Sequence, residues 1–316
     1  MADIGDIKVG YDAMDDLWRN SMIRMFGEDV PFDFTGARYE GVYPVYGDEK
    51  RAYVAAQENK KEYVLQQIGF EQGQHVLDVG SGWGNMLKEI AERGGHGVGL
   101  TLSKSQQAYC QSQGWDARLM DWNDYQPERK FDAVVSIGAF EHFCRLDEYQ
   151  EGGHEKQVQI YGKFFEFVHK ASTPQAKLFL QSMIFGSRGP PDLVHGVDPR
   201  APKGSPARIL AQWRAYFPGS YMPNNEEQVV EAAEPFYKLV RSEDGRRDYA
   251  ETARVWLEAV NAPGGLEKWL EWGKFALMGL GRPELVPRVQ SVLEDAFSRG
   301  FALDIIGHRR WTFEKK

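Results

Sequence analysis

Cysteine is nearly absent: Cys110 and Cys144 are the two in 316 residues. Two unclustered thiols make no disulfide framework, so the expected setting is a reduced cytoplasm. No stretch is long and apolar enough to cross a bilayer, and the N-terminus lacks the basic-then-apolar pattern of a secretory signal. Excess positive charge is missing as well. The net charge of -8 repels a phosphate backbone, which makes nucleic acid a poor general partner. The seven histidines show no ligand spacing, so no metal is expected. Internal repeats and low-complexity tracts are also lacking.

An apolar content of 42% is enough for a full core. Residues 1–70 read as a helical cap, with Leu17, Met22, Ile23, Met25 and Phe26 on one amphipathic helix and residues 51–68 on another. From 71 to 185 short β-branched runs alternate with helical stretches. Strands are predicted at His75–Val79, Gly97–Leu102, Ala117–Met120, Phe131–Ile137 and Leu178–Ile184. Helices are predicted at Met86–Arg93, Ser103–Gln113 and Val158–Ala171. That alternation implies a parallel sheet with helices on both faces, an α/β doubly wound core. Past residue 186 the rhythm breaks. A Pro- and Gly-rich loop (186–208) is followed by a helix over 209–216, a strand at Phe236–Ser242 and a helix at Thr252–Val260. Further helices are predicted at Leu266–Met278 and Val286–Arg299, then a last strand at His308–Phe313. Residues 186–316 thus read as a substrate-binding lid plus the last sheet strands, set above the carboxyl ends of the strands.

The glycines Gly80, Gly82 and Gly84 lie between the first predicted strand and a helix, where a backbone must turn tightly and approach a ligand closely. Their neighbours narrow the ligand. The spacing is G-x-G-x-G, not the G-x-G-x-x-G of nicotinamide enzymes. The end of the second strand, Gly99-Leu100-Thr101-Leu102, lacks the acid that would hold a nicotinamide ribose. No Lys-Ser/Thr pair follows, which excludes a P-loop. Asp78 instead places an acid at the end of the first strand.

Asp78–Gly84 (DVGSGWG), Gly99–Gln106 (GLTLSKSQ) and Ser136–Phe143 (SIGAFEHF) resemble the three signatures of the cyclopropane-fatty-acid synthases, including the mycolic acid methyltransferases. Coclaurine-type N-methyltransferases are similar in the same regions. The resemblance implies a Rossmann-like class I methyltransferase with a helical lid, using S-adenosyl-L-methionine. By the same resemblance, Asp78 and Gly80, Gly82 and Gly84 would cradle the methionine end of the cofactor. Thr101 and Gln106 would bond the ribose. Asp121, Trp122 and Asn123 would frame the adenine, Trp122 stacking on it or serving simply as a buried loop aromatic. Tyr39 would lie over the cofactor.

Methyl transfer to an alkene carbon leaves a carbocation on the acceptor, so the site wants apolar walls, aromatic faces and one buried base. Glu141, between phenylalanines after a buried strand, is costly there unless it has a role or a partner. The family keeps a glutamate here as part of its base. His142 matches the histidine that assists deprotonation in the N-methyltransferase relatives, and Tyr249 resembles the family tyrosine that reaches the active site. The family's bicarbonate ligands differ: the cysteine position reads Gly41 and the histidine position Gln181, which argues against a bicarbonate base and against ring closure. Leu146–Gln157 is longer than the family's link.

Gln181, Arg188 and Arg208, with Arg200 and Lys203, are candidate substrate contacts. The four cations are suited to a phosphate or carboxylate head group, or else form a solvated loop. The expected function is C-methylation of an alkene in a lipid-like or isoprenoid small molecule, an anionic lipid or prenyl diphosphate among the candidates. An N-methyltransferase of a small amine is the alternative. A non-catalytic binding protein on the same fold would be expected to have lost Glu141 or the glycine loop.

Overall fold

The computed structural model describes residues 18–27, 33–42, 48–189, 197–262, 265, 268–269, 273 and 294–316. Helix α1 (residues 18–26) buries Trp18, Met22 and Phe26, spaced by four on one face. Helix α2 (Glu49–Ile68) opens on the Asp48 side chain, which accepts from the Arg51 amide, and stops at Gly69, whose φ of 65° an L side chain rarely adopts. The core then runs β1 (His75–Val79), α3 (Asn85–Glu92), β2 (His96–Thr101), α4 (Lys104–Ser112), β3 (Asp116–Leu119) and β4 (Phe131–Ile137). A short 3-10 turn (Phe140–His142), α5 (Leu146–Ala171) and β5 (Ser172–Phe185) follow. The C-terminal part contributes α6 (Pro206–Tyr216), α7 (Glu226–Ala233), β6 (Tyr237–Asp244), α8 (Arg246–Asn261), α9 (Ala296–Ala302) and β7 (Ile306–Lys315).

The seven strands form one sheet in the order β3-β2-β1-β4-β5-β7-β6. Alternation along each strand feeds two separate layers. Val134, Leu178 and Leu180 pack with Phe164 and Phe165 of α5, and with Trp311 and Phe313 of β7. Ala133, Val135 and Phe179 face the other way, onto Tyr63, Val64 and Ile68 of α2 and Ile90 of α3. A third cluster joins α1, α6, α8 and α9 through Trp18, Trp213, Trp256 and Phe301. This is a doubly wound α/β architecture with helices added above it. Among the described residues no helix is long and apolar enough to cross a membrane.

Two predictions are corrected. The parallel arrangement stops at β5, because β7 inserts between β5 and β6 and runs antiparallel to both. Helix α5 begins at Leu146 rather than Val158; its first turns are masked in the sequence by Gly152 and by Gly153, which kinks it at φ 58°. Val286–Arg299 is described only from residue 294, where α9 begins at Ala296. Leu17 and most of Leu266–Met278 lie outside the described residues.

The inserted strand brings a charge into the interior. Arg310, 1% exposed, sits opposite Gln181 on one side and Glu243 on the other. Its guanidinium donates to Glu243 Oε1 (2.9 Å), Asp248 Oδ2 (2.8 Å), the Ala37 carbonyl (2.7 Å) and Gln181 Oε1 (3.3 Å). A buried cation survives only with such complete pairing. Arg310→Met is expected to remove about 3 kcal/mol or more of stability, the scale for breaking a buried pair, and Arg310→Lys to recover only part of it. Urea denaturation checks this. A loss below about 1 kcal/mol for the methionine variant would mean that the network is not structural.

Candidate active site

Strand order reverses between β1 and β4, so the loops leaving their carboxyl ends bound the crevice where ligands bind in such sheets. After β1, Gly80 has φ 85°, and a Cβ there would lie 2.4 Å from that of Ala139 in the loop after β4. The two loops therefore touch through a glycine. Gly82 has φ 52°, and a Cβ there would meet nothing within 4 Å: its face is open, as a ligand cradle requires. The Gly80 and Ser81 amides donate to the Leu100 carbonyl, fixing the loop on β2. Asp78 is buried. Burial, then the nearby Asp33 carboxylate, pushes its pKa up to about 7. A cationic ligand would relieve that cost.

Thr101, at the end of β2, donates its hydroxyl to Gln106 Oε1 at 2.8 Å, so this predicted pair does come together. Asp121 accepts from the Asn123 amide at 2.8 Å and forms a turn that places both beyond β3. Trp122 is mostly buried against Phe143, Phe164 and Phe167, at centroid distances of 5.2, 5.4 and 5.6 Å. Its role in the aromatic core is evident from that packing.

The loop after β4 carries Glu141 within the 3-10 turn. Glu141 is 1% exposed, and Oε2 accepts from Ser182 Oγ of β5 at 3.0 Å. Burial pushes its pKa up to about 7, against the opposing pull of that hydrogen bond. The segment 33–38 crosses nearby as a strap: a Cβ on Gly138 would lie 3.0 Å from Thr35 and 4.0 Å from Glu141 Oε1. Tyr249, at the start of α8, stacks on Phe301 at 4.3 Å, and its hydroxyl donates to the Phe34 carbonyl at 3.4 Å. The charge of Glu141 helps to keep Tyr249 protonated, after burial itself. The strap, Glu141 and Tyr249 thus converge.

The glycine that joins them is one that the sequence did not single out. Gly41 is exposed. Gly36 is the buried one: its carbonyl accepts from Gln181 Nε2 at 3.2 Å, and a Cβ on it would lie 2.9 Å from Tyr249 Cγ. Nor is Gln181 a substrate contact, since its amide joins Gly36 to Arg310. The Tyr39 hydroxyl is buried beside Tyr53 of α2 and Glu251 of α8, and the Tyr39 amide donates to Asp248 Oδ1, which ties it to the lid helices.

The strap is anchored by charges that no sequence motif announced. Lys60, buried in α2, donates to Asp33 Oδ2 at 2.5 Å and to Thr35 Oγ1 at 2.7 Å. Burial would raise Asp33, but the Lys60 charge and the Thr35 bonds overcome it and hold that carboxyl below its usual range.

His142 is half-buried, and burial pushes its pKa down to about 4, so it is neutral near pH 7. It lines a largely aromatic and aliphatic cavity with Leu146, Met183, Phe185, Trp213, Phe217 and others. The Arg188–Arg208 segment does not supply that cavity with cations. Arg208 is paired with Glu294 at 2.6 and 2.7 Å and also donates to the Pro199 and Ala201 carbonyls. Arg188, Arg200 and Lys203 are exposed, and none of the four lines the cavity. Arg214 does.

Comparison with known proteins gives the same chemistry a family. The family model described as mycolic acid cyclopropane synthetase matches residues 2–265. Cyclopropane mycolic acid synthase MmaA2 of Mycobacterium tuberculosis is 29% identical over 262 residues, covering 81% of each protein. Its structure aligns over 98% of both chains, at 26% identity and a TM-score of 0.70. Methoxy mycolic acid synthase MmaA3 of the same organism is 29% identical over 216 residues, 66% of this chain and 68% of that one. Mycolic acid cyclopropane synthase CmaA1, crystallised with SAH and CTAB, shares the fold at a TM-score of 0.68 and 24% identity, over 98% of each chain. This chain belongs to the mycolic acid cyclopropane synthetase family and is an S-adenosylmethionine-dependent methyltransferase.

Proposed function

We propose that the chain methylates an alkene carbon of a lipid-like or isoprenoid acceptor and yields an open-chain product. The observation that carries this reading is Glu141: a buried carboxyl with its pKa near 7, held by Ser182, whose next residue lines an apolar cavity walled by aromatics. The cradle fits the cofactor, with Gly82 open, Asp78 buried and in need of positive charge, and Thr101 beside Gln106. When bound, S-adenosylmethionine supplies a methyl group activated on a sulfonium. The alkene's electron pair forms the new carbon–carbon bond while the methyl–sulfur bond breaks, its electrons remaining on sulfur. The neighbouring acceptor carbon is left cationic. Trp213 and Phe217 offer π faces to that cation, and the apolar wall excludes the water that would quench it. Glu141 takes the adjacent proton, and the carbon–hydrogen electrons restore a double bond.

The family name describes ring formation, whereas the residues beside Glu141 favour the open-chain outcome. Gln181 uses its amide on Gly36 and Arg310, and Gly36 offers no side chain, so neither is a ready ligand for a bicarbonate base. The name of MmaA3 is in keeping with products other than rings in this family. A diphosphate head group draws less support than an uncharged or singly anionic lipid, because Arg208 is committed to Glu294.

Gly82→Val should weaken S-adenosylhomocysteine binding by about tenfold or more, because a β-branched residue is strained at positive φ and fills the open face. Calorimetry checks this, and unchanged affinity would put the cofactor elsewhere. Glu141→Gln should keep cofactor affinity and lose at least roughly 100-fold in turnover. Since the ionised form is the base, the parent rate should fall as pH drops through about 7, not near the usual 4.5. The cofactor's positive charge would move that limb somewhat lower. Rate profiles with unsaturated acyl and prenyl acceptors test it; near-normal turnover of the variant removes Glu141 from the mechanism.

A further inference from the structure

The hydroxyl that holds Glu141 has a second acceptor within reach. Ser182 Oγ lies 3.0 Å from Glu141 Oε2 and 3.0 Å from the Met183 carbonyl oxygen. One hydroxyl carries one proton, so it donates to one of them at a time. Ser182 has no exposed surface and Glu141 is 1% exposed, so bulk water reaches neither side chain. The backbone holds both acceptors in place. The Gly138 amide donates to the Gln181 carbonyl at 2.9 Å, which pins the loop carrying Glu141 to β5 one residue before Ser182. Met183 is fixed in the ladder between β5 and β7, opposite His308. Little charge competes with the hydroxyl. The titratable neighbours of Glu141 are Tyr249 of α8 and Tyr161 of α5, both kept protonated chiefly by burial, and His142 of its own turn, kept neutral by burial. The strap brings Asp33 already paired with Lys60. Among the described residues no ion pair reaches Glu141; the Glu141 and Met183 amides join Ser182 in favouring its charged form.

We propose that Ser182 is a two-position donor that keeps Glu141 hydrogen-bonded in both of its protonation states, and is thereby a positioning residue for the proton transfer. This rests on the reading that Glu141 is the base. An ionised carboxylate only accepts, so it draws the Ser182 proton to Oε2 in a charge-assisted bond. Once Glu141 has taken the acceptor's proton, that attraction falls. The hydroxyl then turns about its Cβ–Oγ bond towards the Met183 carbonyl, and its lone pairs face the carboxyl, ready to accept from a proton on Oε2. No covalent bond of the serine breaks, and no heavy atom has to move. Without such a partner, a carboxyl in a dry site leaves a polar atom unsatisfied as its charge changes, at a cost to the reaction. The hydroxyl also tunes the strength of the base. By favouring the ionised form it offsets part of the burial that lifts Glu141 to about 7.

The test uses the full chain saturated with S-adenosylhomocysteine, without acceptor. Carbon-13 NMR follows the Glu141 carboxyl, identified by its absence in Glu141→Gln, and the Met183 carbonyl through a pH titration. In the parent protein both resonances should move with one midpoint, because the proton that lands on Glu141 turns the hydroxyl onto Met183. That reading needs no Ser182 variant to fold. In Ser182→Ala the Glu141 midpoint should rise by about one pH unit, the scale of a hydrogen bond to a charged group, while the Met183 resonance stays still. Ser182→Thr, which keeps the hydroxyl, should restore both. In turnover the alanine variant should lose about tenfold on the acid limb and recover towards the parent rate above it, since one unit in the base's pKa is tenfold in its ionised fraction there. A Met183 carbonyl that ignores the Glu141 titration overturns the inference. So does an alanine variant slowed equally at every pH with the Glu141 midpoint unmoved. Either result, with Glu141→Gln inactive, leaves the proposed function standing. Coincident titrations with near-normal turnover in Glu141→Gln would do the reverse: the hydroxyl switch would hold, and the base assignment would fall.

Discussion

Arg310 fixes more of this site than any residue that touches it. Its buried guanidinium has to be satisfied from several directions, and each partner belongs to a different functional piece: Ala37 to the strap, Gln181 to β5, Glu243 to β6, Asp248 to the start of α8. Tyr249 follows Asp248, and Ser182, which holds Glu141, follows Gln181. One desolvated charge thus sets the strap, the tyrosine and the base's hydrogen-bond partner in register. It also explains why Gln181 is structural: an amide drawn to a buried arginine and a backbone carbonyl is unavailable to a ligand.

The second constraint is electrostatic. Asp78 and Glu141 are both buried at the junction of the β1 and β4 loops, and both have their pKa values raised toward neutrality by that burial. Each buried carboxyl is costly in its charged form until positive charge arrives. A sulfonium cofactor brings it, and the carbocationic acceptor of the proposed reaction would do the same, so the electrostatics that destabilise the empty crevice favour the charged species of that reaction. The cations of the 186–208 segment do not compete. Arg208 is neutralised by Glu294, and the others stay in solvent.

The parts legible in sequence were those whose geometry is local. A glycine loop between a strand and a helix, a glutamate among phenylalanines after an apolar strand, and a threonine five residues before a glutamine lie where the sequence placed them, because backbone conformation alone brings them near one another. The strap was not legible. It is irregular, and Asp33, Thr35 and Gly36 gain meaning only from Lys60, Gly138 and Tyr249, which are far along the chain. Without periodicity to fix the strap's register, Gly36 carried no signal in the sequence. Arg208 failed similarly: its partner Glu294 is 86 positions on. Ser182 carried no signal at all, since a lone serine is common, and its value lies in the side chain it meets. Arg310 sat in plain view between His308 and Trp311, in a strand buried on both faces, which places a charge inside and asks for partners.

The central claim is that the proton lost after methyl transfer comes from the acceptor, taken by Glu141, and not from the transferred methyl group. Turnover with S-adenosylmethionine deuterated in its methyl group reads this directly, by mass and NMR of the product from an unsaturated acyl or prenyl acceptor. Retention of every methyl deuterium in an open-chain product is the predicted result. Loss of one deuterium, with the remaining two in a cyclopropane ring, would contradict it.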